Sequence, residues 1–157
     1  MIKDAYDINE AATYAGFKTP WMVDYLCRSK ILVPSQRANA GRGRRRLFSF
    51  SDLVVLRAIN ELLARGISVK RLALKLRAHR REFKRITGDY MPFRFLVTDG
   101  HEIFLDTRDQ GIERIERDSQ YCFRFFVDMH QARSDVLFAA ENATSIRTSL
   151  SYRRRKK

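Results

Sequence analysis

The chain has 157 residues, 45% of them hydrophobic and 31% charged, which is enough apolar content for one or two small domains with a real core. Lys and Arg number 31 against 18 Asp and Glu, and the resulting net charge of +13 favours a polyanionic partner. The polyanion is a nucleic acid or an acidic membrane surface, and we expect the nucleic acid and no membrane partner. No apolar run approaches the roughly 20 residues of a membrane span. The start lacks the apolar stretch of a secretory signal, and two cysteines cannot build a disulfide framework, so we expect a cytoplasmic protein.

The positive charge is concentrated in the first part of the chain. Residues 1–90 carry 19 Lys and Arg against 8 Asp and Glu, residues 91–150 carry 7 against 10, and residues 151–157 carry five Lys and Arg. This distribution predicts a basic module that meets a polyanion and a slightly acidic module that contacts protein. The predicted boundaries are residues 5–87 and 92–142, followed by a basic, disordered tail at residues 143–157.

The first predicted elements are two helices joined by a turn. A capping box at Asp7 begins the first helix, and Gly16 ends it. Thr19-Pro20 begins the second helix, with Thr19 as N-cap, and that helix continues to about Ser29. Two helices and a glycine turn within some twenty residues are typical of a helix-turn-helix.

A β-hairpin and two further helices are predicted next. An extended run at residues 31–34 and an aromatic alternation at residues 44–50 predict two short strands around a Gly- and Arg-rich tip, which we call the wing (residues 37–46). Ser51 is predicted to cap a third helix that ends at Arg65-Gly66. Ser68 opens a fourth helix that continues to Gly88, with an apolar stripe at Leu72, Leu76, Phe83 and Ile86 and a basic face at Lys70, Arg71, Lys75, Arg77, Arg80, Arg81, Lys84 and Arg85.

After Pro92 the pattern changes to that of a small mixed unit. Residues 93–98 and 102–106 predict strands around an Asp99-Gly100 turn, and residues 109–119 predict a helix. Residues 121–127 predict a third strand and residues 129–142 a last helix. The predicted fold is therefore α+β: an N-terminal winged helix-turn-helix domain of about four helices and a β-hairpin wing, followed by a small β-β-α-β-α module.

Several short pieces occur in a characteristic order: Asp7–Ala12, Gly16, Thr19-Pro20, Lys30–Pro34, Phe48–Leu53 and Gly66-Ile67-Ser68. In order and spacing, residues 7 to about 76 resemble the DNA-binding domain of the MerR family of transcription regulators. The resemblance implies a winged helix that binds double-stranded DNA with a recognition helix at about residues 19–28 in the major groove. It also implies a bacterial or phage regulator of transcription.

Two features depart from the family pattern. The family usually has Arg where this chain has Asp24, and an Asp near DNA repels phosphate but accepts a hydrogen bond from cytosine N4. Typical members continue into a long helix that forms an antiparallel coiled coil and then into an effector-sensing region, whereas here Gly88 and Pro92 follow the fourth helix. The resemblance is therefore not extended to metal or drug sensing, nor to the family's usual dimer.

The predicted DNA contacts lie on the recognition helix, the wing and the start of the fourth helix. Trp21, Tyr25 and Arg28, at i, i+4 and i+7, are expected to share the face that meets DNA, with a core position of the two aromatic residues as the alternative. Arg makes bidentate contacts with phosphate and reads a narrow minor groove, which favours the wing arginines. The whole set is Lys18, Thr19, Trp21, Tyr25, Arg28, Arg37, Arg42, Arg44, Arg45, Arg46, Lys70 and Arg71.

The sequence predicts no enzyme, no cofactor and no metal site. It has no glycine loop followed by Lys-Ser/Thr, no Ser nucleophile elbow and no paired-His metal helix. The acidic residues near Asp99 and Asp109 are explained by a hairpin turn and a helix cap.

Three functional hypotheses remain open. The first is a sequence-specific regulator that binds DNA as a homodimer, because a single small winged helix supplies little contact for a specific site, and that is associated with the nucleoid. The second is an antitoxin that represses its own operon and binds a toxin through residues 92–142. The third is a DNA-bending protein of the excisionase type.

Overall fold

The computed structural model describes residues 2–36, 45–106 and 125–154, with the backbone alone for residues 144–154. Its helices are α1 (Ile8–Tyr14), α2 (Pro20–Arg28), α3 (Phe50–Ala64), α4 (Val69–Ala78), α5 (Arg80–Phe83) and α6 (Met129–Arg154), and its strands are β1 (Phe95–Thr98), β2 (Ile103–Asp106) and β3 (Phe125–Asp128). A helical N-terminal region precedes an antiparallel sheet and a long helix, so the α+β prediction is confirmed. The predicted wing tip (residues 37–44) and the predicted helix at residues 109–119 lie outside the described residues.

Local hydrogen bonds define both ends of α1. The Asp7 carboxylate accepts the Glu10 N–H at 2.9 Å, and the Glu10 carboxylate accepts the Asp7 N–H at 3.2 Å. At the other end, the Phe17 N–H donates to the Ala12 carbonyl at 2.8 Å, while Gly16 has a φ of +80°. This is the Schellman closure that glycine favours, so both predicted ends of α1 are confirmed.

The end of α2 has the same closure without a glycine. The Lys30 N–H donates to the Cys27 carbonyl at 3.1 Å and the Ile31 N–H to the Leu26 carbonyl at 3.0 Å, with Lys30 at a φ of 56°. Because these bonds turn the chain back onto α2, the strand predicted at residues 31–34 does not form, and that prediction is wrong. The described parts of the predicted hairpin make isolated bridges instead, between Gln36 and Leu47 and between residues 6 and 48.

The start of α3 differs from the prediction by two residues. Ser49, rather than Ser51, is the N-cap: its hydroxyl accepts the Asp52 N–H at 3.2 Å, and the Asp52 carboxylate accepts the Ser49 N–H at 2.9 Å. The capping box needs an acidic residue at the third helical position, and only Ser49 has one. The predicted end of α3 at Arg65-Gly66 is confirmed.

The predicted fourth helix is interrupted at His79. Helix α4 ends at Ala78 and α5 covers the four residues after His79, so the prediction of one helix continuing to Gly88 is wrong. The His79 Nε2 atom lies 3.1 Å from the Ile103 carbonyl oxygen of β2. After the bend, the Phe83 ring meets the Phe93 ring edge to face at 5.8 Å, and both are buried.

The three strands form an antiparallel sheet in the order β2-β1-β3. Thr98 pairs with Ile103 across the first hairpin, and Leu96 pairs with Val127 of β3. In the turn, Gly100 has a φ of +97° and the Asp99 carboxylate accepts two backbone N–H groups, at 2.7 and 2.9 Å. The predicted hairpin is confirmed.

The core is shared by the two predicted modules. Buried residues of the described part form one hydrophobic cluster, in which Leu56 of α3 joins Leu96 of β1 and Val136 of α6. The Arg57 guanidinium also donates to Asp135 of α6 at 2.7 Å. Helix α6 continues to Arg154, where the sequence predicts a disordered tail from residue 143, because neither Gly nor Pro follows to end it.

Candidate nucleic-acid interface

The exposed face of α2 carries a stacked aromatic pair. Val23 and Leu26 are buried on the opposite face, whereas Trp21 is 62% exposed. The Trp21 ring stacks on the Tyr25 ring, with a centroid separation of 5.9 Å and an interplanar angle of 14°. Tyr25 also packs partly against the core, while Trp21 does not. The face of α2 therefore offers a flat apolar surface to solvent.

Asp24 joins this face to the chain that returns from the wing. Its carboxylate accepts from the Arg28 Nε atom at 2.8 Å and from the Arg46 guanidinium. From the sequence, Asp24 is expected to repel phosphate or to accept a hydrogen bond from cytosine N4, but in the structure both of its oxygens face guanidinium groups. The pair with Arg46 joins α2 to the last residue of the wing.

The two ends of the wing are held by one buried carboxylate. The Asp52 Oδ2 atom accepts the Ser35 N–H at 2.9 Å, the Ser35 hydroxyl at 2.7 Å and the Ser49 N–H at 2.9 Å. Asp52 is only 7% exposed. Because Ser35 precedes the wing and Ser49 follows it, Asp52 closes the wing at its base. The Ser-x-x-Asp spacing in the sequence indicates that Asp52 takes part in a helix cap, but it does not identify Ser35 as a further partner of Asp52.

The other predicted contacts lie on exposed surface where they are described. Lys18 and Thr19 precede α2, and the Thr19 side chain makes no capping bond. Arg45 is exposed beside Arg46, and Lys70 and Arg71 are exposed in the first turn of α4. Among the described residues, no carboxylate lies within 4.0 Å of Lys18, Arg45, Lys70 or Arg71. Arg37, Arg42 and Arg44 lie outside the described residues.

The start of α4 is electrostatically suited to an anion. The N-terminus of a helix carries a partial positive charge, and anions stabilise it. Here the first turn carries two cations and no acidic residue. A phosphate group bound there would therefore interact favourably with both side chains and with the helix end.

The thiol of Cys27 lies on α2 and is partly buried. Burial raises the pKa of Cys27 to about 11, against the lowering effect of the nearby Arg46 charge.

In the described residues, no three His, Cys, Asp or Glu side chains are grouped to hold a metal ion. No helix in residues 2–36, 45–106 and 125–154 has the length and apolar character to cross a membrane.

A short helix, a glycine turn, a second helix with an exposed face and the base of a hairpin define a helix-turn-helix domain. Residues 6–79 match the family described as MerR HTH family regulatory protein, and this N-terminal part of the chain is a MerR-family helix-turn-helix domain.

Relatives share the same kind of domain. Over 47 residues the chain is 47% identical to uncharacterized HTH-type transcriptional regulators of Mycobacterium bovis and of two strains of Mycobacterium tuberculosis. The match covers 30% of this chain and 21% of each relative, so the chain spans about a fifth of the length of the curated relatives it matches. The similarity therefore concerns less than a third of this chain.

Proposed function

We propose that the protein is a sequence-specific DNA-binding regulator of transcription whose helix α2 enters the major groove. The supporting observation is the exposed Trp21–Tyr25 stack, with Arg28 one turn further along the same helix. In helix-turn-helix proteins the second helix reads the base edges. Aromatic faces suit the apolar methyl group of thymine, and Arg28 has the fork geometry that binds guanine O6 and N7 or a phosphate.

The other predicted residues contact the phosphate backbone on both sides of α2. Lys18 and Thr19 precede the recognition helix, and Lys70 and Arg71 approach from the start of α4. The wing supplies Arg37, Arg42, Arg44, Arg45 and Arg46, which contact flanking phosphates or the minor groove. These contacts set affinity and register, whereas α2 selects the sequence.

A second copy of the chain would supply the additional contact that a specific site needs. One small module buries little DNA surface, and specific binding draws on larger contact areas. We therefore expect a homodimer on DNA. Size-exclusion chromatography with light scattering on the protein bound to its site measures the stoichiometry, and one protein copy per site would contradict the dimer.

Fluorescence anisotropy tests the DNA-binding proposal directly. The full chain is titrated into labelled duplex from the DNA upstream of its own gene and into a random duplex, across a salt series. The expected preference for the upstream duplex is about 10³-fold or more and persists as salt rises. Equal and steeply salt-dependent binding to both duplexes would overturn a specific regulator and leave nonspecific charge attraction.

A matched pair of variants tests the role of α2. Trp21→Ala removes the exposed ring of the stack and is expected to weaken binding to the upstream duplex about tenfold or more, since a base contact contributes about 1–3 kcal/mol. Phe138→Ala removes a ring of α6 that is 68% exposed, similar to the 62% of Trp21. The Phe138 variant is expected to bind as the wild type does. Equal losses in both variants would contradict a specific role for Trp21.

A further inference from the structure

A second cationic surface lies at the end of α4 and along α5. Arg77, Ala78, Arg80, Arg81 and Lys84 line an open basin, which we call the α4–α5 basin. Among the described residues, no carboxylate lies within 4.0 Å of any of its four cations, and that includes Glu82 in the same segment. Four like charges within eight residues repel one another, so an anionic partner would stabilise the arrangement.

An apolar cleft opens beside the basin and shares three of its cations. The cleft has a volume of about 40 Å³ and is lined by Ile31, Leu32, Val33, Ser35, Ser51, Asp52, Val55, Leu76, Arg77, Arg80, Phe83 and Lys84. A volume of this size holds about three water molecules, which corresponds to the end of a Val or Leu side chain. Although Asp52 lines the cleft, its carboxylate accepts hydrogen bonds from Ser35 and Ser49.

The mixture of charge and apolar surface distinguishes between possible partners. Leu74 is 68% exposed, and helical spacing places it on the same side of α4 as Ala78, which lines the basin. A nucleic-acid backbone would meet the cations but would leave Leu74 and the cleft exposed to water. A peptide with both carboxylates and an apolar side chain would satisfy both features.

We propose that the α4–α5 basin and its cleft bind an acidic peptide segment of a partner protein. Carboxylates of that segment pair with Arg77, Arg80 and Lys84, and one side chain of Val or Leu size enters the cleft. The site is separate from the exposed face of α2 and does not depend on DNA binding. It gives the domain a protein contact in addition to the DNA contact proposed above.

Peptide binding to the full chain, in the absence of DNA, tests this site. The probe is a fluorescein-labelled peptide of twelve residues, rich in Asp and Glu with one central Leu. Its control has Ala in place of that Leu. At about 0.15 M salt, where long-range attraction is screened, the Leu peptide is expected to bind about tenfold more tightly, because the two peptides differ only in the side chain that fills the cleft. Equal affinities would overturn the proposal.

Three protein variants locate the contact. Arg80→Ala with Lys84→Ala is expected to weaken binding of the Leu peptide tenfold or more. Val33→Asp, at a cleft residue that is 41% exposed, places a carboxylate at the cleft and is expected to do the same without removing a cation. Arg85→Ala is the control, because Arg85 is exposed but lines neither the basin nor the cleft. Circular dichroism confirms that each variant is folded.

The outcomes separate this proposal from a wider DNA interface. If the Arg80 and Lys84 substitutions leave peptide binding unchanged and instead lower the salt slope of DNA binding by about 0.9 for each lost phosphate contact, the basin is part of the DNA interface and the proposal is wrong. If peptide binding follows the expected pattern while the chain shows no preference for any duplex, the peptide site stands and the proposed regulator does not.

Discussion

Asp24 brings a negative charge into the otherwise basic candidate interface. Since it pairs with Arg28 and with Arg46, part of the positive charge on the α2 surface is neutralised in the free protein. We expect Asp24→Asn to bind random duplex about 3- to 10-fold more tightly and with a steeper salt dependence, because two guanidinium groups become available to phosphates. The preference for the upstream duplex is expected to fall, because Arg46 loses the group that positions it. Anisotropy titrations across a salt series measure both quantities.

Asp89→Asn is the matched control for this prediction. It makes the same change in charge at an exposed position before β1. Its affinity for random duplex is expected to stay within twofold of the wild type. A similar gain in both variants would mean that net charge alone controls binding and that the pairs made by Asp24 have no particular effect.

Cys27 gives a prediction with a defined pH dependence. The thiolate is the reactive form, and a pKa of about 11 leaves about 0.1% of the thiol ionised at pH 8, roughly a hundredfold less than for the ordinary value of 9.0. In a Cys122→Ser variant, alkylation of Cys27 by iodoacetamide at pH 8 is expected to be about a hundredfold slower in the folded chain than in denaturant. The folded-state rate should rise about tenfold per pH unit until the pH approaches 11. Equal rates in the folded and denatured chain would contradict burial of this thiol.

At the scale of elements, Asp52 links the base of the wing to the start of α3. Substitution by Ala leaves the partly buried N–H groups of Ser35 and Ser49 without their acceptor. We expect Asp52→Ala to lower the free energy of unfolding by about 3 kcal/mol, measured by urea denaturation, since each unsatisfied buried donor costs about 1–3 kcal/mol. Asp7→Ala removes an exposed capping box and is expected to cost about 1 kcal/mol. A loss at Asp52 no larger than that at Asp7 would contradict the linking role.

The elements predicted correctly are those whose ends depend on neighbouring residues. The capping box at Asp7, the closure at Gly16 and the turn at Gly100 are all complete within a few positions along the chain. Two of the errors also have local causes, namely the closure at Lys30 and the capping box at Ser49, whereas the third involves a distant partner. The break at His79 involves the Ile103 carbonyl, 24 positions away.

The candidate site, too, is predicted from the sequence only in part. The exposed face of α2 follows from helical spacing, so the sequence predicts that Trp21, Tyr25 and Arg28 lie on one side. It does not predict that Asp24 pairs with Arg46, since those residues are 22 positions apart and meet only in the folded chain. The predicted basic face of the fourth helix includes the four cations of the α4–α5 basin. The cleft beside them is not predicted, because its lining residues come from positions between 31 and 84 that meet only in the folded chain.

At the scale of the whole molecule, charge and packing divide the chain differently. The contrast between a basic first part and a slightly acidic second part predicts two modules. Packing instead joins them, since α6 lies against α3 and α1, and Arg57 of α3 is paired with Asp135 of α6. The charge distribution indicates which kinds of partner each part of the chain binds, whereas the hydrophobic cluster determines which parts of the chain unfold together.

A substitution in α6 therefore tests whether the helix-turn-helix part depends on the second unit. Val136 is fully buried, and Val136→Ala is expected to lower the free energy of unfolding by about 2 kcal/mol through lost burial and the cavity left behind. The chain has one tryptophan, Trp21 on α2, so its fluorescence follows the N-terminal part. With a shared core, urea unfolding followed by Trp21 fluorescence and by far-UV circular dichroism is expected to shift equally. The exposed α6 substitution Ser134→Ala serves as the control and is expected to shift neither signal. A Trp21 transition that stays at its wild-type midpoint in Val136→Ala would show that the two parts unfold separately, as the charge pattern alone predicts.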